Sequence, residues 1–145
     1  AHRELLEMLP AGSVITPHPK EFERLVGSWN NDFERLEKQK ALAKEHELIV
    51  VVKGAHTAIA SPQGEVYFNS TGNPGMATGG SGDVLTGIVA SVLAQGYEPL
   101  HAAMIGIYVH GLAGDIARDL YGEIAMKASD IVDCLPQAFQ NVSEV

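Results

Sequence analysis

Five of the thirteen residues in Thr71-Gly72-Asn73-Pro74-Gly75-Met76-Ala77-Thr78-Gly79-Gly80-Ser81-Gly82-Asp83 are glycine, and an almost wholly apolar stretch follows. Glycine has no Cβ, so main-chain amides here can approach a ligand closely. A helix over 83–95 would add its free first-turn amides and positive dipole end to those of the loop. Consecutive amides of this block therefore make a candidate anion site for a phosphate or a developing phosphoryl charge. No lysine follows the glycines as in a Walker-type loop, and the G-x-G-x-x-G spacing of dinucleotide folds is missing. Asp83 is the only charged residue between Val66 and Tyr97. Two readings of it stand side by side: a helix cap that complements the dipole, or a general base that takes a proton from a hydroxyl while the amides hold the phosphoryl group.

A second cluster is Lys53-Gly54-Ala55-His56-Thr57, where an apolar run meets a glycine turn. Strand ends are where α/β sheets place ligands, so Lys53 is a candidate for a nucleotide phosphate and Thr57 for a ligand hydrogen bond. Equally, Lys53 can simply snorkel from the sheet end to water. His18 sits between Pro17 and Pro19, with Glu21 close behind, and would point into the same sheet-end crevice. His56, His101 and His110 lack the tight spacing of metal ligands and read as surface residues, and the metal ligands stay unassigned. Cys134 reads as a small buried hydrophobe.

The elements that must position these residues follow from patterning. A helix is expected over His2–Leu9, then a short β-branched strand at 13–16 stopped by Pro17-His18-Pro19. Glu21–Val26 suits a short helix. Asn31 with Glu34 gives the start of a longer helix to about His46, whose narrow stripe of Phe33, Leu36, Lys40 and Ala43 should lie on a sheet. Leu48–Val52 is a continuous apolar run, the mark of a strand covered on both faces, and strand, helix, strand makes a parallel crossover. Residues 57–60 and 65–68 flank Ser61-Pro62-Gln63-Gly64 as a hairpin. Pro99 opens a helix to Tyr121 rich in small residues, and Ser129 should cap a last helix that Pro136 kinks.

The chain has 145 residues and a net charge of −8, with 46% hydrophobic residues. That composition supports a buried core and argues against disorder and against a nucleic-acid-binding surface. A single cysteine cannot form an internal disulfide, which points to a reducing cytoplasm. No uninterrupted apolar stretch of the roughly 20 residues needed to span a bilayer stands out, so no membrane partner is expected. The sequence opens on Ala1 and reads as a piece of a longer protein.

Three blocks taken together, Thr16-Pro17-His18-Pro19-Lys20-Glu21, Lys53-Gly54-Ala55-His56-Thr57 and Asn69–Gly87, with Ala128-Ser129-Asp130 near the end, resemble the ADP/ATP-dependent NAD(P)H-hydrate dehydratases of the ribokinase-like superfamily. The resemblance implies an α/β, ribokinase-like three-layer sandwich with a mainly parallel sheet and an antiparallel hairpin, truncated at its N-terminus, residues 1–145 being the C-terminal portion of one domain. It implies nucleotide-dependent dehydration of hydrated NADH or NADPH, a metabolite-repair reaction. Asp83 would deprotonate the ring hydroxyl, the amides of an anion hole at Gly79, Gly80, Ser81 and Gly82 would stabilise the moving phosphoryl, and His18 and Asp83 would contact the substrate. Lys53, Gly54, Ala55, His56, Thr57 and Gly82 would hold ADP or ATP with Mg²⁺. A homo-oligomer and a fused or separate NAD(P)H-hydrate epimerase are expected as partners. A small-molecule kinase of the same superfamily, acting on a vitamin precursor or sugar, and a non-catalytic fragment remain as alternatives.

Overall fold

The computed structural model describes residues 3–143, which fall into two compact units divided between Phe68 and Asn69. The expected first helix is a 3-10 helix over Arg3–Met8, and His2 lies outside the described residues.

In the first unit, β1 (Val14–Ile15) runs into Pro17 and is followed by α1 (Pro19–Val26), with His18 as its N-cap. α2 (Asp32–His46) begins where Asn31 Oδ1 accepts the Glu34 amide at 2.8 Å. Glu34 Oε2 in turn accepts the Asn30 amide, and this backbone bond holds the Glu34 carboxyl below its ordinary pKa. β2 (Ile49–Val52) is buried at every position, as its unbroken apolar run predicts. β3 (Ala58–Ala60) and β4 (Val66–Phe68) form the hairpin, closed by the Gly64 amide on the Ser61 carbonyl. The sheet order is β1-β2-β3-β4. It is mixed: β1 and β2 are parallel, with Val14 opposite Ile49, and the two hairpin pairings are antiparallel. The parallel part is confined to that one pair. Phe22, Leu42, Leu48 and Val50 form the centre of the core, and the Phe22 and Trp29 rings lie 5.6 Å apart.

The expected stripe of α2 holds at Ala43 and fails at Phe33. Phe33 is 74% exposed, and the inward face is Gln39, Leu42 and Ala43. Gln39 turns inward because its Nε2 donates to the Val50 and Ala58 carbonyls, both at 2.8 Å, and so ties α2 to β2 and β3. Replacing it by leucine removes both bonds, and Gln39→Leu should lower stability by about 1–3 kcal/mol. The check is a lower urea midpoint at unchanged slope; an unmoved midpoint would show the clip to be idle.

In the second unit, α3 (Ser81–Ala94), α4 (Pro99–Tyr121) and α5 (Ala128–Ser143) pack with α4 against both neighbours. Val109, Ala113, Ala117 and Ile131 form the core between α4 and α5. α4 is long and on average apolar enough to cross a membrane, although Asp115, Arg118 and Asp119 interrupt it, and its apolar part is mostly buried inside the structure, as in a core helix. Gly106 shows how closely the helices approach, since a Cβ there would lie 2.6 Å from Val89 Cγ2. α5 starts one residue before Ser129, so Ser129 is not its cap; Asp130 reaches back instead, accepting the Lys127 amide at 2.8 Å. The helix continues through Pro136.

Candidate anion and nucleotide site

The glycine-rich loop of the second unit is fastened to α4. Asn69 Nδ2 donates to the Thr71 carbonyl at 3.0 Å, and the Thr71 hydroxyl donates to the Tyr108 carbonyl at 2.9 Å. Asp115 takes the next two donors: its Oδ2 accepts the Gly72 amide at 3.0 Å and its Oδ1 accepts Asn73 Nδ2 at 2.9 Å. Arg118 lies 3.6 Å from the same carboxylate. Bonds of an ionised carboxylate to such donors are roughly twice as strong as neutral ones, which makes Asp115 the main anchor of the loop. Asp115 was missed in the sequence, because Arg118 and Asp119 follow it closely on α4 and only its bonds to the distant loop set it apart.

The loop ends at Gly80, whose φ of +88° turns the chain into α3 and whose Cβ would press on Ala128 Cβ at 3.2 Å. Alanine is disfavoured there on both counts. α3 begins at Ser81, two residues earlier than expected, so Asp83 is the third residue of the helix and Gly80 is the cap position. The cap reading of Asp83 is therefore overturned. Asp83 is exposed, and among the described residues its carboxylate has no hydrogen-bond or ion-pair partner.

The amides divide unevenly. Ser81 N–H is bonded to the Thr78 carbonyl at 3.3 Å, so of the four expected anion-hole residues it has its amide engaged. Among the described residues the amides of Gly79, Gly80, Gly82 and Asp83 have no acceptor, the first helical bond being Val84 to Gly80. Gly79 has neither a positive φ nor any atom within 4 Å of where a Cβ would stand, so nothing inside the protein requires glycine there. Ser81 Oγ lies 3.3 Å from His110 Nε2. This corrects the surface reading of His110, which is half-buried on α4, while His56 and His101 are exposed as expected.

In the first unit, the Lys53 amide donates to the Pro17 carbonyl at 3.1 Å, which places the ends of β1 and β2 side by side. His18 follows directly. Its Nδ1 accepts the Glu21 amide at 3.2 Å, its own amide donates to Glu21 Oε2 at 2.8 Å, and Nε2 lies 3.4 Å from Glu21 Oε1. With Nδ1 accepting, the neutral ring carries its proton on Nε2. Beyond Lys53 the chain turns on Thr57, whose Oγ1 accepts the Gly54 amide at 3.3 Å and lies 3.2 Å from the Gly54 carbonyl. Gly54, Ala55 and His56 are exposed at its tip. Among the described residues no three His, Cys, Asp or Glu side chains form a metal-binding group. Cys134 is buried as expected, and burial, with Asp133 and Asp130 nearby, pushes its thiol pKa up and keeps it unreactive.

A mixed sheet with a parallel crossover, and a glycine loop feeding an apolar helix that bears a lone aspartate, define a ribokinase-like α/β protein. The structure matches a ribokinase-like superfamily protein from Enterococcus faecalis V583 with a TM-score of 0.73 and 32% identity, over 88% of this chain and 44% of that one. It also matches the crystal structure of ADP/ATP-dependent NAD(P)H-hydrate dehydratase from Bacillus subtilis co-crystallized with ATP/Mg²⁺, with a TM-score of 0.81 and 35% identity, over 88% of this chain and 47% of that one. The family profile described as NAD(P)H-hydrate dehydratase matches residues 2–137, and the chain belongs to that family. It is 50% identical over 133 residues to the bifunctional NAD(P)H-hydrate repair enzyme Nnr of Moorella thermoacetica, covering 90% of this chain and 25% of that protein. The chain thus spans about half the length of the matched solved structures and a quarter of the bifunctional relative.

Proposed function

We propose that residues 1–145 are the C-terminal portion of a single domain that dehydrates hydrated NADH or NADPH, using ADP or ATP as phosphate donor. The observation that carries this is that, among the described residues, the Asp83 carboxylate has no partner and the amides of Gly79, Gly80 and Gly82 no acceptor. Asp83 takes the proton of the ring hydroxyl, and the hydroxyl oxygen forms a bond to the terminal phosphorus of the nucleotide as the bond to the leaving nucleotide oxygen breaks. The free amides hold the phosphoryl oxygens through this step. Once phosphorylated, the former hydroxyl leaves as phosphate, pushed by the ring nitrogen, and loss of a proton from the neighbouring ring carbon restores the dihydronicotinamide. Phosphorylation matters because hydroxide is a poor leaving group and phosphate a good one.

Lys53, Gly54, Ala55, His56 and Thr57 are assigned to the nucleotide and His18 to the hydrated dinucleotide, on the resemblance of their blocks to the family. Mg²⁺ would enter on the nucleotide phosphates and neutralise their charge; the described side chains offer no cluster for it, so no protein ligand is assigned. The second activity of the bifunctional relatives fits a fused or separate NAD(P)H-hydrate epimerase as partner. A cytoplasmic location fits the lone buried thiol, and a homo-oligomer fits the open edges of β1 and β4. The net charge of −8 favours neither nucleic acid nor an anionic membrane surface.

The test is absorbance in the reduced-nicotinamide band while the complete protein is incubated with hydrated NADH, Mg²⁺ and ADP or ATP. A rise that requires one nucleotide, with free phosphate released, is the expected result. A stable phosphorylated product from another hydroxyl compound would instead make the protein a small-molecule kinase.

A further inference from the structure

Gly87 is a glycine without an internal reason. It lies inside α3, is exposed, and a Cβ at its position would meet nothing within 4 Å. Glycine is less favourable than alanine in a helix interior, so neither helix formation nor internal packing accounts for it. Its location relative to Asp83 does. Residues three and four places on lie on the same helix face, and a helical side chain leans toward the N-terminus, over the turn before its own Cα. The two residues that would cover Asp83 are therefore Thr86 and Gly87. Thr86 is drawn away, its hydroxyl donating to the Gly82 carbonyl at 3.0 Å, and Gly87 has no side chain to extend. The flank of the Asp83 carboxylate is bare for both reasons.

We infer that Gly87 is a specificity-determining residue that keeps room beside Asp83 for the ring bearing the acceptor hydroxyl. This rests on the reading of Asp83 as the base. A ring-sized acceptor needs that space, whereas the phosphate donor, held by the loop amides before Asp83, does not.

The experiment compares Gly87→Ala, Gly87→Leu and, as a control on the underlying reading, Asp83→Asn, all in the complete protein. Gly87→Ala should raise the melting temperature by about 2–5 °C, because alanine is the better helix former. It should also raise KM for hydrated NADH at least about tenfold, as an added methyl does in a filled space, while nucleotide affinity by calorimetry is unchanged. Gly87→Leu should lose detectable turnover and still bind nucleotide. A KM unmoved by both variants overturns the inference, and so does a fall in melting temperature on Gly87→Ala, which would mean that another part of the protein packs on this face. If Asp83→Asn is inactive while both Gly87 variants work normally, only the Gly87 inference fails; if Asp83→Asn is fully active, the assignment of the base fails with it.

Discussion

Asp83→Asn should lower turnover of hydrated NADH by roughly 10² to 10⁴, which corresponds to about 2.7–5.4 kcal/mol of transition-state stabilisation. The substitution keeps the size and shape of the side chain and removes only the charge and the ability to take a proton. Its effect on stability is small by comparison. Asp83 stands in the first turn of α3 rather than at the cap, and it makes no bond that asparagine would break. Only its favourable interaction with the helix dipole is lost, under about 1 kcal/mol. Nucleotide affinity should hold or tighten slightly, because a negative charge near the phosphates is gone. The measurement pairs initial rates in the nicotinamide band with calorimetric titration of ADP or ATP. Loss of rate and affinity together would point to a disturbed loop. Unchanged turnover would leave Asp83 with the dipole alone and remove the chemistry assigned to it.

Much of the fold and site could be read from local chemistry. The proline-flanked strand end, the Asn31 start of α2, the buried run of β2 and the hairpin are set by neighbours in sequence, and the structure has them within a residue or two. The glycine loop and Asp83 were visible because charge is so sparse there. What was not legible depends on partners far apart in the chain. Gln39 is polar and helical, and only the carbonyls of Val50 and Ala58, 11 and 19 residues on, explain its burial. Asp115 acts 43 and 42 residues from Gly72 and Asn73, and His110 meets Ser81 across 29. The start of α3 was misplaced because Ser81 and Gly82 are poor helix formers by composition. In the structure they form its first turn, entered through the left-handed Gly80.

Gly111→Ala should be the most damaging single methyl in the second unit, lowering stability by about 2–3 kcal/mol. A Cβ on Gly111 would overlap Thr71 Oγ1 and stand 2.7 Å from the Thr71 carbonyl carbon. The side chain alone cannot resolve that, because a main-chain atom is in the way. Moving Thr71 breaks its bond to the Tyr108 carbonyl and pulls the neighbouring Gly72 amide from Asp115. The loop that presents the anion-binding amides would then leave α4 at its first anchor, so turnover should fall along with stability. Gly114 provides the comparison. The three atoms nearest its added Cβ all belong to the Met76 side chain, with Cε at 2.6 Å, and a thioether can swing aside. Gly114→Ala should therefore have less than half the effect of Gly111→Ala in thermal melts of the complete protein. Equal losses, or a loop that keeps its activity after Gly111→Ala, would show that Thr71 is not what holds the glycine-rich segment on α4.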